Sequence, residues 1–184
     1  MSQTVYIISL HRLVWTGLMA ALVAVGAIIS VPVGPFSPVP VTLQTMFVLL
    51  CGFTLGPRGG VTAILLYLAA GALGLPVFAV GKAGLAVFLG PTGGFLTGFI
   101  PAALICGFAG GRPLKPAPAM LGFAVLGTCM PLLCGALQLM LVLGISWGKV
   151  LAVGVLPFLP GAGLKCLAAA AIYRFLAARG LLPR

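Results

Sequence analysis

Long apolar runs alternate along the chain with short clusters of proline, glycine and basic residues. At roughly 20 residues per crossing, the apolar runs are matched to bilayer thickness as helices. Six are expected, over about 13–31, 41–55, 61–73, 95–108, 119–144 and 150–178. The last is broken near 157–163 by Pro157, Pro160, Gly161 and Gly163. Pro32, Pro35, Pro38 and Pro40 make the stretch between the first two runs a stiff, extended loop. Gly56-Pro57-Arg58-Gly59-Gly60 reads as a tight basic turn between the second and third. A signal peptide is the rival reading of the first run. The run is long for one and no small-x-small cleavage site follows it, so it is read as a helix.

Residues 75–95 depart from this alternation. They are apolar enough to lie near a membrane, yet they hold Pro76, Gly81, Gly84, Gly90, Pro91, Gly93 and Gly94. A proline inside a helix costs about 3 kcal/mol and glycine loses the most backbone entropy, so this is no regular helix. Irregular backbone at membrane depth is tolerated where protein buries it or where it lines a polar cavity. With Lys82 in it, the stretch reads as the lining or lid of a small-molecule site; an ordinary loop between spans is the alternative.

Composition fixes the class. Of 184 residues, 62% are hydrophobic and 5% charged, against about 25% charged in soluble domains. The expectation is an all-α, multi-pass integral membrane protein with one transmembrane domain over 1–184. The chain has no Asp or Glu and a net charge of +10. With six spans and the N-terminus inside, Arg12, Arg58, Arg112, Lys115, Arg174, Arg179 and Arg184 fall on the cytoplasmic side. Lys82, Lys149 and Lys165 fall outside. This division satisfies the positive-inside rule with both termini cytoplasmic. The basic residues are dispersed and not interleaved with aromatics, so nucleic-acid binding is not supported.

The missing carboxylates exclude much chemistry. No acid/base pair and no Ser-His-Asp triad can form, and no Walker A motif is present. No intramembrane acid can relay protons or hold sodium, which argues against a self-powered secondary transporter. The five cysteines, Cys51, Cys106, Cys129, Cys134 and Cys166, make no C-x-x-C pair, and His11 is the sole histidine. Neither a metal site nor a structural disulfide is implied.

Lys165 is the most informative residue. A lysine near the start of an apolar helix costs a few kcal/mol if it stays charged and faces lipid, and the chain offers it no carboxylate side chain. It snorkels to headgroups, loses its proton, or binds an anion from outside. The third outcome requires a carboxylate-bearing ligand, which Lys82 could share. Tyr67, Phe78, Phe95, Phe36 and Phe88 are candidate apolar walls. Gln44, Thr42 and Thr92 are candidate hydrogen-bonding groups for a neutral polar head, although Gln44 could equally make an interhelical hydrogen bond. On the first helix Gly17, Ala20, Ala21, Ala24 and Ala27 recur at spacings of three and four, allowing close approach of an internal neighbour or a separate subunit.

Several of these segments resemble one family. Val39-Pro40-Val41-Thr42-Leu43-Gln44-Thr45 is similar to the V-P-x-T-L-Q-T signature of the BioY family, the biotin-binding S components of energy-coupling-factor vitamin transporters. The resemblance continues through Leu55-Gly56-Pro57-Arg58-Gly59, Tyr67-Leu68-Ala69-Ala70-Gly71, Gly74-Leu75-Pro76-Val77-Phe78, Gly90-Pro91-Thr92-Gly93-Gly94-Phe95 and Pro157-Phe158-Leu159-Pro160-Gly161 with Lys165. It implies six helices in the plasma membrane, biotin bound near the outer face, and no cofactor or enzymatic activity. It also implies docking, through a small-residue motif that Ala20 and Ala24 fit best and for which Gly17 and Ala21 offer a second register, onto a transmembrane coupling subunit that works with two cytoplasmic ATPases. The transport it implies is toppling of the loaded subunit within the membrane. Lys165 would hold the valerate carboxylate. One position departs: the family pattern P-G-D-x-x-K has an Asp where this chain has Ala162. The alternatives are a structural or non-biotin vitamin-binding subunit of the same fold, and a membrane enzyme, which the missing acid/base set disfavours.

Overall fold

The computed structural model describes residues 10–34, 37–110 and 114–182. Phe36, Arg112 and Arg184 lie outside them. Helix α1 (Leu10–Ile28) covers the first apolar run. It stops short of the expected residue 31 because Ser30–Val31 (β1) pairs antiparallel with Val41–Thr42 (β2), Ser30 opposite Thr42. The mostly helical chain thus carries one small β pair, which closes the proline-rich connection on itself.

Helix α2 (Gln44–Ala72) contains the expected second and third runs and reverses within itself. Gly56 adopts φ 73°, ψ −177°, a conformation open essentially to glycine alone. Pro57 follows in the first turn of the second arm, where its missing N–H leaves no hydrogen bond unmade. The reversal is visible in a side-chain bond. Gln44 donates to Tyr67 Oη at 2.6 Å across 23 positions, a pair that a straight helix would hold about 34 Å apart. The expected turn over 56–60 therefore narrows to Gly56, and Pro57 to Gly60 are helical.

After a short 3-10 turn (Ala79–Gly81) the chain forms α3 (Ala86–Leu89), α4 (Gly93–Thr97) and α5 (Phe99–Gly107). The expected run at 95–108 is thus two collinear pieces. α6 (Ala117–Leu143) follows, then α7 (Trp147–Gly154), a turn at Leu156–Phe158 and α8 (Leu159–Ala178). The break in the last run falls at residues 155–158 and overlaps only the start of the expected 157–163. Pro160 occupies the first turn of α8, where it costs no hydrogen bond, so the helix starts before it and carries Gly161 and Gly163.

α1 and α5 pack on the two arms of α2 around Val23, Val48, Ile64, Tyr67 and Phe99. Close approach depends on the absence of side chains: a Cβ on Gly52 would sit 2.4 Å from the Ala103 carbonyl oxygen, and one on Gly94 2.2 Å from that of Cys134. Among the described residues, four helical stretches are long and apolar enough to cross a bilayer: Leu10–Ile28, Gln44–Ala72, Ala117–Leu143 and Trp147–Ala178. Gly93–Gly107 is a shorter apolar helix. This is a multi-pass membrane protein.

Candidate functional site

One end of the helices encloses a cleft with about 710 Å³ of empty space, part of it open to solvent. Its floor and walls come from distant parts of the chain: the β2–α2 junction, the loop after α2, the α3–α4 turn, α6 and α8. Among the described residues, every candidate contact except Tyr67 and Phe88 lines it. Lys165 and Lys82 supply two cations, Gln44, Thr42 and Thr92 the polar groups, and Phe78 and Phe95 the aromatic walls. Residues separated by more than a hundred positions are thus brought to one place.

Lys165 lies in the second turn of α8, half-buried, with its Nζ folded back over Gly161. Lys82 is exposed at the mouth. Ala162 lines the cleft one turn before Lys165, so the position at which the family pattern has an Asp faces this space without a carboxylate.

Gln44 is the best-held polar group, and it is buried. Its Oε1 accepts from Thr42 Oγ1 at 3.1 Å, and one hydrogen of its Nε2 goes to Tyr67 Oη at 2.6 Å. Tyr67 in turn donates to the Val77 carbonyl at 3.2 Å. An amide carries two N–H donors and two lone pairs on its oxygen. One of each is left over on Gln44, which lines the cleft. Tyr67 is therefore behind the site and fixes Gln44, instead of forming a wall. Phe78 packs edge-on against Tyr67 at 5.6 Å and against Phe88 at 5.6 Å. Its ring rests on Gly71, where a Cβ would sit 2.2 Å from Cζ. Phe88 buttresses Phe78 from outside the lining.

The α3–α4 turn is held by Gln138, a residue that sequence reading passed over. From the C-terminal part of apolar α6, its Nε2 donates to the carbonyls of Phe88 at 2.6 Å and Gly90 at 2.7 Å. A lone amide in that helix was the available signal. Replacing it should free the turn that carries Thr92. We expect Gln138→Leu to raise amide hydrogen exchange over residues 86–92 severalfold while the α6 amides stay protected. Unchanged exchange there would show that packing alone holds the turn. Among the other walls, Phe99, Pro131, Leu132 and Phe158 are apolar and gave no sign in sequence; Phe158 packs on Phe95 at 5.7 Å.

On α1 the small residues divide between two faces. Ala20 is buried and Ala24 half-buried, both packed toward α2. Gly17 and Ala21 point outward, with nothing within 4 Å of a Cβ on Gly17 and exposed Val14, Leu18 and Val25 around them. Ala20, the expected docking residue, is thus committed to the internal core. No group of His, Cys, Asp or Glu able to hold a metal exists among the described residues.

Comparison with known proteins gives this cleft a context. A Thermotoga maritima protein named "Biotin transporter BioY" is 48% identical over 98 residues, 53% of this chain and 56% of its own length. A Rhizobium etli protein of the same name is 35% identical over 175 residues, covering 90% of this chain and 92% of that one. A crystal structure titled as the S-component for biotin from an ECF-type ABC transporter superposes with a TM-score of 0.83 at 28% identity, over 91% of this chain and 90% of that one. The model of the BioY family matches residues 1–181. The order of motifs, the helical framework and near full-length relatives agree, and the chain belongs to the BioY family.

Proposed function

We propose that this chain is the substrate-capture subunit of a biotin uptake transporter, with no chemical step of its own. The observation that carries this reading is the pairing, in one apolar cleft, of the Lys165 and Lys82 cations with the half-satisfied amide of Gln44. Biotin has a carboxylate on a flexible chain and a ureido ring that presents N–H beside C=O. A primary amide with one spare donor and one spare acceptor complements that ring edge, and a lysine complements the carboxylate. Phe78, Phe95 and Phe158 would cover the apolar bicycle between them. The names borne by its relatives and the match to a biotin S-component support the same ligand.

In this reading the protein is a single domain of six spans in the plasma membrane with both termini cytoplasmic. The reversal at Gly56 supports the count, because it divides 44–72 into two arms. Each arm is shorter than the ~30 Å hydrocarbon core, so the irregular stretches 37–43 and 73–92 complete the crossings where protein buries them. The cleft then opens outward. Loaded protein would dock on a transmembrane coupling subunit served by two ATPases and topple in the membrane to deliver its ligand. The outward register Gly17 and Ala21 of α1 is the face available for that contact, beside half-buried Ala24.

Titration of the purified protein with biotin tests the reading directly. Saturable, tight binding is expected, with lipoic acid, which has a carboxylate but no ureido ring, binding at least a hundredfold more weakly. Gln44→Leu should lose about tenfold in biotin affinity by removing the ring partner, and Tyr67→Phe less, because it removes only the group that orients Gln44. Absence of biotin binding by the folded wild type would overturn the reading in favour of a structural subunit or another vitamin.

A further inference from the structure

Phe95 owes its place in the cleft wall to a residue that does not line the cleft. Gly135 is buried inside α6, where glycine is the least favourable residue after proline. What it accommodates is the Phe95 ring: a Cβ on Gly135 would stand 2.5 Å or less from Cγ, Cδ2 and Cε2. The ring therefore lies against bare backbone. The helix that carries it has no slack to retreat. On either side of Phe95, α4 and its C-cap press on α6: a Cβ on Gly94 would meet Gln138 Cβ at 2.8 Å, and one on Gly98 the Pro131 nitrogen at 2.9 Å. Away from Gly135 the surroundings are looser. Phe95 is half-buried, lines the cleft and touches Phe158 with its plane tilted by 36°. A ring pushed off Gly135 has the cleft to turn into.

We infer that Gly135 sets the width of the cleft. By leaving room behind the Phe95 ring, it decides how thick a ligand this wall admits, and so acts as a positioning residue for selectivity. Phe78 rests on Gly71 in a similar way, but it is fully buried between Tyr67 and Phe88 and has no room to turn. Phe95 is the wall that can move. The inference rests on the biotin reading and adds the residue that selects for the ligand's second ring. Biotin has a sulfur ring fused to the ureido ring. Desthiobiotin keeps the ureido ring and the carboxylate chain but lacks the sulfur ring, so it is the thinner ligand with the same polar groups.

Calorimetric titration of the purified full chain with biotin and with desthiobiotin tests it, because it counts sites as well as affinity. Wild type should prefer biotin. G135A should bind biotin roughly tenfold more weakly and desthiobiotin little changed, so the preference shrinks severalfold at an unchanged number of sites. In F95A the ring is gone and the clash with it, so adding G135A to F95A should alter neither affinity. A general loosening of α6 would instead weaken both ligands and persist in the F95A background. F95W thickens the same wall with Gly135 in place and should shift the preference in the same direction, which keeps the test open if G135A does not fold. Failure of G135A to fold beside a folded F95A/G135A would again identify the ring as what the glycine accommodates. An unchanged preference in G135A or in F95W, or an equal loss when G135A is added to F95A, would overturn the inference while leaving the biotin reading intact. No biotin binding by folded wild type would remove that reading, and the inference with it.

Discussion

Lys165→Ala is expected to weaken biotin binding roughly 10- to 100-fold, the range for one hydrogen bond to a charged group. The lysine is half-buried on α8, in a cleft walled largely by aromatics and aliphatics, where a charge interaction is less screened than at a surface. Loss of affinity alone would not prove the contact, because any damaged cleft binds worse. Biotinamide, which lacks the carboxylate charge, separates the cases. Wild type should prefer biotin to biotinamide by about the same factor, and Lys165→Ala should bind the two equally. This is the logic of a double-mutant cycle, with the ligand as one of the two partners. If the preference for biotin persists in Lys165→Ala and disappears in Lys82→Ala, the carboxylate lies at the mouth of the cleft. Ala162 sharpens the expectation: no neighbouring Asp is present to hold the ammonium when the ligand is gone.

A large effect on stability is expected at Gly52. Alanine normally favours a helix by about 1 kcal/mol over glycine. At Gly52 the added Cβ would meet the Ala103 carbonyl oxygen at 2.4 Å, Cys106 Cβ at 2.7 Å and the Gly107 backbone nitrogen at 2.9 Å. Two of these are main-chain atoms of a packed helix and cannot turn aside. Gly52→Ala should therefore lower stability by about 1–3 kcal/mol despite its better propensity, and Gly52→Leu should prevent α5 from seating on α2. Gly122→Ala is the control, since nothing lies within 4 Å of a Cβ there. Thermal unfolding followed by size-exclusion chromatography reads both: a lower transition for Gly52→Ala and no loss for Gly122→Ala. Equal transitions for all three proteins would show that α2 and α5 can separate without penalty.

The residues that proved legible in sequence are those whose chemistry conflicts with their surroundings. Lys165 and Gln44 stand out because polar groups in apolar runs need partners, and the fold brings both to one cleft. The reversal after Leu55 was signalled by Gly56-Pro57, because few conformations suit that pair within a helix. Tyr67 was harder. Its hydroxyl announces a hydrogen bond, but only the reversal reveals that the partner is Gln44 and that the ring stands behind the site. Pro160 misled, since a proline reads as a break whether it interrupts a helix or begins one, and this one lies in the first turn of α8. Phe99, Leu132 and Phe158 carried no signal, as apolar side chains in apolar helices look alike whether they face lipid, core or cleft. Ala20 and Ala24 were assigned to docking by the resemblance, and the spacing of small residues names two faces of α1 without saying which is covered.

Gln44 and Lys165 are set in a chain with no carboxylate side chain, and this has an electrical consequence. A cation in the membrane field exchanges about 2.3 kcal/mol per 100 mV for a full crossing. An anionic ligand on Lys165 cancels that charge, whereas Lys82 at the mouth keeps its own. If the subunit topples as proposed, the empty cleft would carry one positive charge more than the loaded one when it climbs an inside-negative potential to face outward again. On that reading the membrane voltage would weigh more heavily on the return of the unloaded subunit than on the delivery of its cargo.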